Sequence, residues 1–173
     1  IRSEGNDADL NRHWMAAKAW SLAMVPDSAF SLLNTMAKSD RISPSDATVL
    51  ENDKDFANLQ ADKRWSDLLN NAKEKASKNY NIEELIYGRK DGVALTMLHL
   101  KPKSNANGKT VIWVMAGSWY SSYQQAERSV RPSSMYLDKG FTVFLVILGS
   151  QPRYAIPDEI KKIKRAVRYI RYN

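Results

Sequence analysis

The side chains best suited to covalent chemistry in this sequence are serines that follow an apolar segment. Residues 110–116 read TVIWVMA, and GSWYSS occupies residues 117–122. A serine hydroxyl becomes a nucleophile when an adjacent base removes its proton. The sequence places no such base beside these serines. We therefore expect Ser118, Ser121 and Ser122 to be turn and helix-capping residues.

The sequence contains two histidines, His13 and His99, and no cysteine. His13 lies in a helical pattern and His99 lies near the end of a predicted strand. Neither has an acid and an exposed serine placed to work with it, so we expect structural roles for both. Two distant histidines without clustered carboxylates give no ligand set for a metal ion. The sequence predicts neither a metal site nor another cofactor.

Basic charge is concentrated in the second half of the chain. Residues 1–80 contain 11 Lys and Arg against 12 Asp and Glu, whereas residues 81–173 contain 15 against 7. Six of these basic residues fall within residues 161–171. Apolar residues recur there at helical spacing, which places the basic side chains on the solvated side of an amphipathic helix: Ile160, Ile163, Val167 and Ile170. Because no aromatic stacking platform accompanies the charge, we expect no nucleic-acid partner.

Length and composition describe a chain that can bury a core. It has 173 residues, of which 43% are hydrophobic. No apolar run approaches the roughly 20 residues that span a bilayer, so no membrane span is expected. The first residue is Ile1 rather than methionine, which favours the removal of an upstream segment and is compatible with export.

The hydrophobic pattern changes near residue 80 and divides the chain into residues 1–80 and residues 81–173. The first part is helical: apolar residues repeat at spacings of three and four over residues 13–25, and another helix is predicted over residues 63–78. Trp14, Trp20 and Trp65 are expected to be packing residues.

The end of the helical part resembles the closing segment of a tetratricopeptide-like array. The stretch VLENDKDFANLQADKRWSDLLNNAKEKA, residues 49–76, has the pattern D-x-x-F-x-x-L-x-x-D-x-R-W. The residues that match it are Asp53, Phe56, Leu59, Asp62, Arg64 and Trp65. Short helical hairpins cannot bury their own faces and therefore stack on neighbours.

After residue 80 the pattern becomes that of strands alternating with helices. Apolar runs flank Lys90, Asp91 and Gly92, and Asp-Gly is a strong hairpin-turn signal. Residues 110–116 and 141–148 are apolar on both faces, which is typical of strands covered by helices on either side. The fold class predicted is α/β, with a mostly parallel sheet after the hairpin and crossover helices between the strands, preceded by a small all-helical segment.

Residues 82–173 resemble the opening half of an α/β-hydrolase domain of the esterase and lipase-like branch. The resemblance rests on a hairpin, a strand with its following turn, a second strand and a helix, in that order. The residues that carry it are Tyr87, Gly88, Asp91, Gly92 and Leu95, then Gly117 and Trp119, then Gly140, Phe141 and Val143, then Pro157, Ala166, Val167 and Arg171. The turn GSQP at residues 149–152 also resembles one branch of this family.

The resemblance implies a serine hydrolase that acts on carboxylic esters. Backbone N–H groups of Gly117 and Ser118 would form the oxyanion hole, and Trp119 and Tyr120 would line the substrate pocket. The chain departs from the family pattern because Met115 stands where a histidine is usual and Ala116 and Ser118 replace glycines. An oxyanion hole built from amides does not need those side chains.

The resemblance places the nucleophilic serine on a G-x-S-x-G turn after the next strand, and this sequence contains no such motif. We therefore expect the nucleophile, acid and histidine of a triad to lie outside this chain, which alone is predicted to be inactive. The strand at residues 111–115 would then have an open edge. We expect that edge to be covered by the remaining half of the protein or by a second copy. The alternative function is a non-catalytic interaction module, with helical hairpins that bind a partner on an α/β scaffold.

Overall fold

The computed structural model describes residues 2–116, 120–150 and 152–173. Within these residues the chain is a mixed α/β protein with seven α-helices and one four-stranded mixed sheet. It divides into two compact units, Ile1–Asn79 and Tyr80–Asn173. No described helix combines the length and the apolar character needed to cross a bilayer.

Helices are the only regular secondary structure among the described residues of the first unit. Its elements are α1 (Arg2–Leu22), α2 (Pro26–Ala37), α3 (Pro44–Asn52), a short 3-10 helix (Lys54–Leu59) and α4 (Arg64–Asn79). A proline opens α2 and α3, where its missing N–H costs no helical hydrogen bond. Ser43 caps α3, since its hydroxyl accepts from the Asp46 N–H and the Asp46 carboxylate accepts from the Ser43 N–H.

The core of the helical unit is centred on Phe56, which is fully buried. Its ring lies between those of Trp14 and Trp65, with both pairs of ring centroids 6.0 Å apart. The packing roles expected for Trp14 and Trp65 are confirmed. Trp20 differs, because 44% of it remains exposed.

The residues between Asp53 and Trp65 form local caps and core contacts. The Asp53 carboxylate accepts from the Asp55 N–H and begins the 3-10 helix. The Asp62 carboxylate accepts from the Arg64 guanidinium and backbone N–H, and these hydrogen bonds lower the pKa of Asp62 to about 2. The polar positions of the pattern thus hold the turns. Its apolar positions fill the core.

The second unit begins with a hairpin of β1 (Asn81–Lys90) and β2 (Val93–Lys101). Asp91 and Gly92 connect them with φ values of 51° and 77°. Two consecutive residues with positive φ make the type I′ geometry that suits a two-residue hairpin. The turn expected from Asp-Gly is confirmed.

The sheet has the order β1-β2-β4-β3, where β3 is Thr110–Met115 and β4 is Thr142–Ile147. β1 pairs with β2 and β2 with β4 antiparallel, and only β3 and β4 are parallel. The parallel strands with a helical crossover expected after the hairpin are confirmed in β3 and β4, whereas the sheet as a whole is mixed rather than mostly parallel. A two-residue turn forces β1 and β2 to run in opposite directions, whereas a helical crossover allows β3 and β4 to run in the same direction.

Helices pack on opposite faces of this sheet. The β3–β4 crossover contains α5 (Tyr123–Ser129) and α6 (Ser134–Leu137), which pack against Val143, Leu145 and Ile147 of β4. The last helix, α7 (Ile156–Tyr172), packs against the alternate residues Phe144 and Val146. β3 contributes side chains to both clusters, yet lies at the edge of the described sheet.

The buried face of α7 differs from the one its isoleucines predict. Ile163 and Ile170 pack against the sheet, but Ile160 is 49% exposed. Lys162 is only 3% exposed, although the basic residues of this helix were expected on the solvated side. The buried face of α7 therefore includes Lys162 and Ala166 in place of Ile160. This side of the helix packs against both the sheet and the segment between β4 and α7.

Gly140, between α6 and β4, supports a prediction with a matched control. Its φ is 81°, and a Cβ there would lie 2.1 Å from the backbone oxygen of Asn105. Gly108 has a similar φ of 72° but open space around it. We expect Gly108→Ala to lower the free energy of unfolding by about 1 kcal/mol, from backbone strain alone. Gly140→Ala should cost about 2–4 kcal/mol, since a backbone oxygen must also move.

The measurement for these two glycines is urea unfolding followed by far-UV circular dichroism. The difference between the variants isolates the contact with Asn105. Equal losses for Gly140→Ala and Gly108→Ala would contradict the close approach of the two loops.

Candidate functional site

The carboxyl ends of the parallel strands β3 and β4 lie side by side at the same end of the sheet, and this end is called the carboxyl edge below. Ligands of open α/β sheets bind beyond the carboxyl ends of the parallel strands, so this edge is the candidate site. Gly117, Ser118 and Trp119 lie outside the described residues, and their predicted roles remain predictions. Tyr120 is described at this edge and is 56% exposed. Its exposure leaves its ring free for a contact with a ligand, although its pocket role is also still a prediction.

Two serines join the loops that follow these strands. The Ser121 N–H donates to Ser150 Oγ at 3.0 Å, and the Ser150 hydroxyl donates back to the Ser121 carbonyl at 2.9 Å. The Ser121 hydroxyl accepts from the Leu148 N–H at 3.0 Å. Ser121 is 6% exposed. We name this pair of residues, Ser121 and Ser150, the serine clamp; it fixes the chain directly after Tyr120 to the end of β4.

Ser122 begins α5. Its hydroxyl accepts from the Gln125 N–H, and the Gln125 side chain accepts from the Ser122 N–H, which makes a reciprocal cap. Structural roles for Ser121 and Ser122 are confirmed. Because the Ser121 hydroxyl accepts a backbone hydrogen bond and is buried, it is poorly placed to attack a substrate.

A buried lysine supports the loop after β4. Lys162 Nζ donates to the Leu148 carbonyl at 2.5 Å and lies 2.9 Å from the centre of the Tyr154 ring. Burial lowers the pKa of Lys162. Gly149 has a φ of 91°, and a Cβ there would come within 2.7 Å of Tyr154. The loop after β4 therefore packs around the Lys162 amine, and Gly149 allows the Tyr154 ring to approach the backbone.

Tyr87 of β1 forms a hydrogen bond with the last residue of β4. Its hydroxyl donates to the Ile147 carbonyl at 2.8 Å. Tyr87 is 4% exposed, and this burial raises the pKa of its hydroxyl, which therefore remains a donor. The carboxyl end of β4 and Leu148, which follows it, are thus held by side chains from β1, α7 and the loop after β3.

His99 takes part in the packing of the sheet. Its ring stacks on Phe144 with centroids 4.4 Å apart and planes 8° from parallel, and its Nδ1 lies 3.5 Å from Glu83. Burial, followed by the charge of Lys101, lowers the pKa of His99. These contacts give it a structural role, as expected. Among the described residues, no group of three or more metal-ligating side chains is found.

The chain was compared with protein-family models, with characterised proteins and with solved structures, and none of them matches it.

The sequence did not reveal the serine clamp or the buried position of Lys162. The clamp joins residues 29 positions apart, and neither serine stands out in its own segment. Lys162 carried a usable signal, because Lys162, Ala166 and Tyr169 follow the spacing of one helical face.

Ser121→Ala should destabilise the second unit. It removes the acceptor of the Leu148 N–H, and a buried N–H without a partner costs about 1–3 kcal/mol. We expect a loss of that size in the free energy of unfolding measured in urea. Ser104→Ala, in an exposed loop, is the control and should change stability by less than about 0.5 kcal/mol. A loss below the control value for Ser121→Ala would show that the clamp contributes little.

His99 should make stability depend on pH. Its pKa lies below the ordinary value of 6.5, so the unfolded chain binds the proton more tightly. Stability from this group is fully present above pH 6.5 and is lost as pH falls through the folded pKa. An NMR titration of the His99 ring should give a pKa below 6.5. His99→Gln should flatten the stability curve as pH falls below 6.5; a ring pKa at or above 6.5 would refute the burial argument.

Proposed function

We propose that this chain is the N-terminal part of a serine hydrolase that transfers the acyl group of a carboxylic ester to water. The backbone N–H groups of Gly117 and Ser118 would stabilise the oxyanion, and Trp119 and Tyr120 would line the ester pocket. The substrate is a small-molecule ester. The nucleophile, acid and histidine are assigned to residues outside this chain.

The observation that carries the proposal is the arrangement of the sheet and its helices. An antiparallel hairpin is followed by two parallel strands in the order β1-β2-β4-β3. In the α/β-hydrolase resemblance, the strand at residues 111–115 lies between β4 and the strand that carries the nucleophile. β3 pairs with β4 on one side only among the described strands. Its other side is the position that the proposal gives to the nucleophile strand.

The placement of α7 supports the same position. α5 and α6 lie on one face of the sheet and α7 on the other. Parallel crossovers are right-handed, so helices on opposite faces lead the chain in opposite directions along the sheet. A parallel strand that followed α7 would therefore cross over β3 and pair with its free edge. In this arrangement the oxyanion turn after β3 and the nucleophile turn stand side by side.

The serine clamp fits the need for preorganisation. Oxyanion-hole donors act well when they are fixed before the reaction begins. The clamp holds Ser121, which closely follows the proposed donors, to the rigid end of β4.

The open edge of β3 also defines the partner. An uncovered apolar edge strand pairs readily with other chains. We assign the remaining half of the hydrolase domain to this edge, and a second copy of the chain is the alternative occupant.

A fluorophosphonate probe tests the function. This probe reacts with the activated serine of a serine hydrolase, so the complete product of the gene should be labelled, and heat denaturation beforehand should abolish the labelling. Tyr120→Ala should raise KM for a p-nitrophenyl ester about fivefold, through loss of apolar contact. Tyr172→Ala is the control, because Tyr172 is 84% exposed at the far end of α7. An unlabelled and esterase-inactive gene product would refute the proposal.

One observation favours the non-catalytic alternative. The helical unit exposes several large apolar side chains around the end of α1: Met15, Leu22 and Met24 are 67%, 65% and 72% exposed. Exposed apolar patches of this kind often contact other proteins. An interaction module would give no labelling with the probe, so the same experiment separates the two functions.

A further inference from the structure

A cleft between the β hairpin and α7 is lined mainly by Lys and Arg residues, and none of them has a role in the proposed ester hydrolysis. It has a volume of about 230 Å3. The residues that line it are Arg89, Lys90, Leu95, Asp158, Lys161, Lys162 and Arg165. Five of these seven carry a positive charge, and Asp158 is the one carboxylate among them. The cleft is therefore basic.

The single carboxylate of the cleft is already neutralised. Asp158 accepts a hydrogen bond from Lys90, which lowers the pKa of Asp158 and keeps it ionised. This pair leaves four cationic side chains around a small volume, and no other described residue that lines the cleft carries a negative charge. A cleft lined mainly by one sign of charge attracts ions of the opposite sign.

Two of the cations are held in place by the fold. Arg165 Nη1 donates to the Arg89 carbonyl at 3.1 Å, and its aliphatic part lies across Gly88, where a Cβ would come within 2.6 Å of Arg165 Cδ. Lys162 is held between the Leu148 carbonyl and the Tyr154 ring. A guanidinium held by one of its five N–H groups still offers the others. These fixed donors lose little entropy when a ligand binds.

The size and charge of the cleft select its ligand. Clefts that hold drug-sized molecules measure about 300–1,000 Å3, so this one is too small for a whole nucleotide. A phosphate group suits it, because it carries up to two negative charges and several acceptor oxygens, and arginine binds it with paired hydrogen bonds. Burial lowers the pKa of Lys162, and an anion beside it would favour its charged form again.

We propose that the cleft between the end of β1 and the first half of α7 binds a phosphate monoester group through Lys161, Arg165 and the adjoining basic residues. The ligand is either a free phosphomonoester or the headgroup of a lipid that ends in a phosphomonoester. This site lies on the α7 face of the sheet and needs no triad, so it stands or falls independently of ester hydrolysis.

Calorimetric titration of the protein with inorganic phosphate is the first test. We expect a dissociation constant of about 1 mM or lower. Lys161→Gln and Arg165→Gln should each weaken binding about tenfold. Lys164→Gln and Arg168→Gln are the controls, since they remove the same charge from exposed positions of α7 that do not line the cleft. The controls should change the dissociation constant by less than about twofold.

Lys161 keeps the test decisive even if Arg165→Gln fails to fold, because Lys161 is exposed and forms no part of the core. Sedimentation with phosphatidylcholine vesicles, with and without phosphatidic acid, distinguishes the sources of the phosphate group. Binding to inorganic phosphate alone identifies a free phosphomonoester, and added binding to phosphatidic acid vesicles identifies a lipid. The proposal is overturned if neither ligand binds, or if the control substitutions weaken binding as much as Lys161→Gln does.

Discussion

Replacing Ser118 by proline is expected to lower kcat for ester hydrolysis by about 10²- to 10³-fold, and replacing it by alanine should leave kcat within about threefold. The prediction follows from the proposed role of the Ser118 backbone N–H as an oxyanion donor. Alanine removes the hydroxyl but keeps that N–H. Proline removes the N–H itself. The pair therefore separates a role of the amide from a role of the side chain.

The measurement is steady-state kinetics on the complete gene product with a p-nitrophenyl ester. A donor that acts on the transition state changes kcat more than KM, so KM should stay within about threefold for both variants. Far-UV circular dichroism of the proline variant checks that the fold is intact. If Ser118→Ala loses as much activity as Ser118→Pro, the serine side chain carries the role and the assignment of the amide is wrong.

Replacing Phe56 by alanine should cost the helical unit about 3–5 kcal/mol in free energy of unfolding. Phe56 is fully buried, and its ring touches those of Trp14 and Trp65. The substitution removes apolar contacts and leaves a cavity that two large rings cannot fill without moving. A loss of this size approaches the whole stability of many small domains.

Urea unfolding followed by tryptophan fluorescence is the measurement for Phe56→Ala, because Trp14 and Trp65 report the environment that changes. Val49→Ala is the control, since Val49 is 43% exposed and its truncation should cost less than about 0.5 kcal/mol. A loss of less than about 1.5 kcal/mol for Phe56→Ala would mean that the aromatic cluster is not the centre of this core.

The two proposals concern separate chemistry on one scaffold. Ester hydrolysis is assigned to the edge where β3 and β4 end, and phosphate binding is assigned to the cleft against α7. Lys162 is common to the description of both regions: its amine holds the Leu148 carbonyl after β4, and its side chain lines the cleft. Substitutions of Lys162 would therefore disturb both, which is why the tests use Ser118 and Tyr120 for one region and Lys161 and Arg165 for the other.

Local signals in the sequence were enough to predict most elements. The Asp91-Gly92 turn, the apolar strands and the helical repeat of the first unit each depend on residues within a few positions of one another. The helix predicted over residues 63–78 corresponds to α4, Arg64–Asn79. Ser122 was expected to cap a helix and does so. These features need no knowledge of distant contacts.

The sequence pattern was less reliable where burial depends on a neighbour in space. It placed every basic residue of α7 in solvent, but Lys162 is buried because its amine finds the Leu148 carbonyl and the Tyr154 ring. A periodic pattern ranks side chains by polarity and has no information about a partner that makes burial of a charge favourable.

The α/β class, the hairpin, the two apolar strands and the basic character of the second half could all be predicted from the sequence. Each follows from propensity, periodicity or composition, which are properties of short segments. Four features are visible only in the folded chain: the strand order β1-β2-β4-β3, the opposite faces taken by α5 and α7, the serine clamp, and the cleft lined by basic residues of β1 and α7. These depend on which distant segments pack together, and the free energy of that packing is spread over many contacts that no single segment contains.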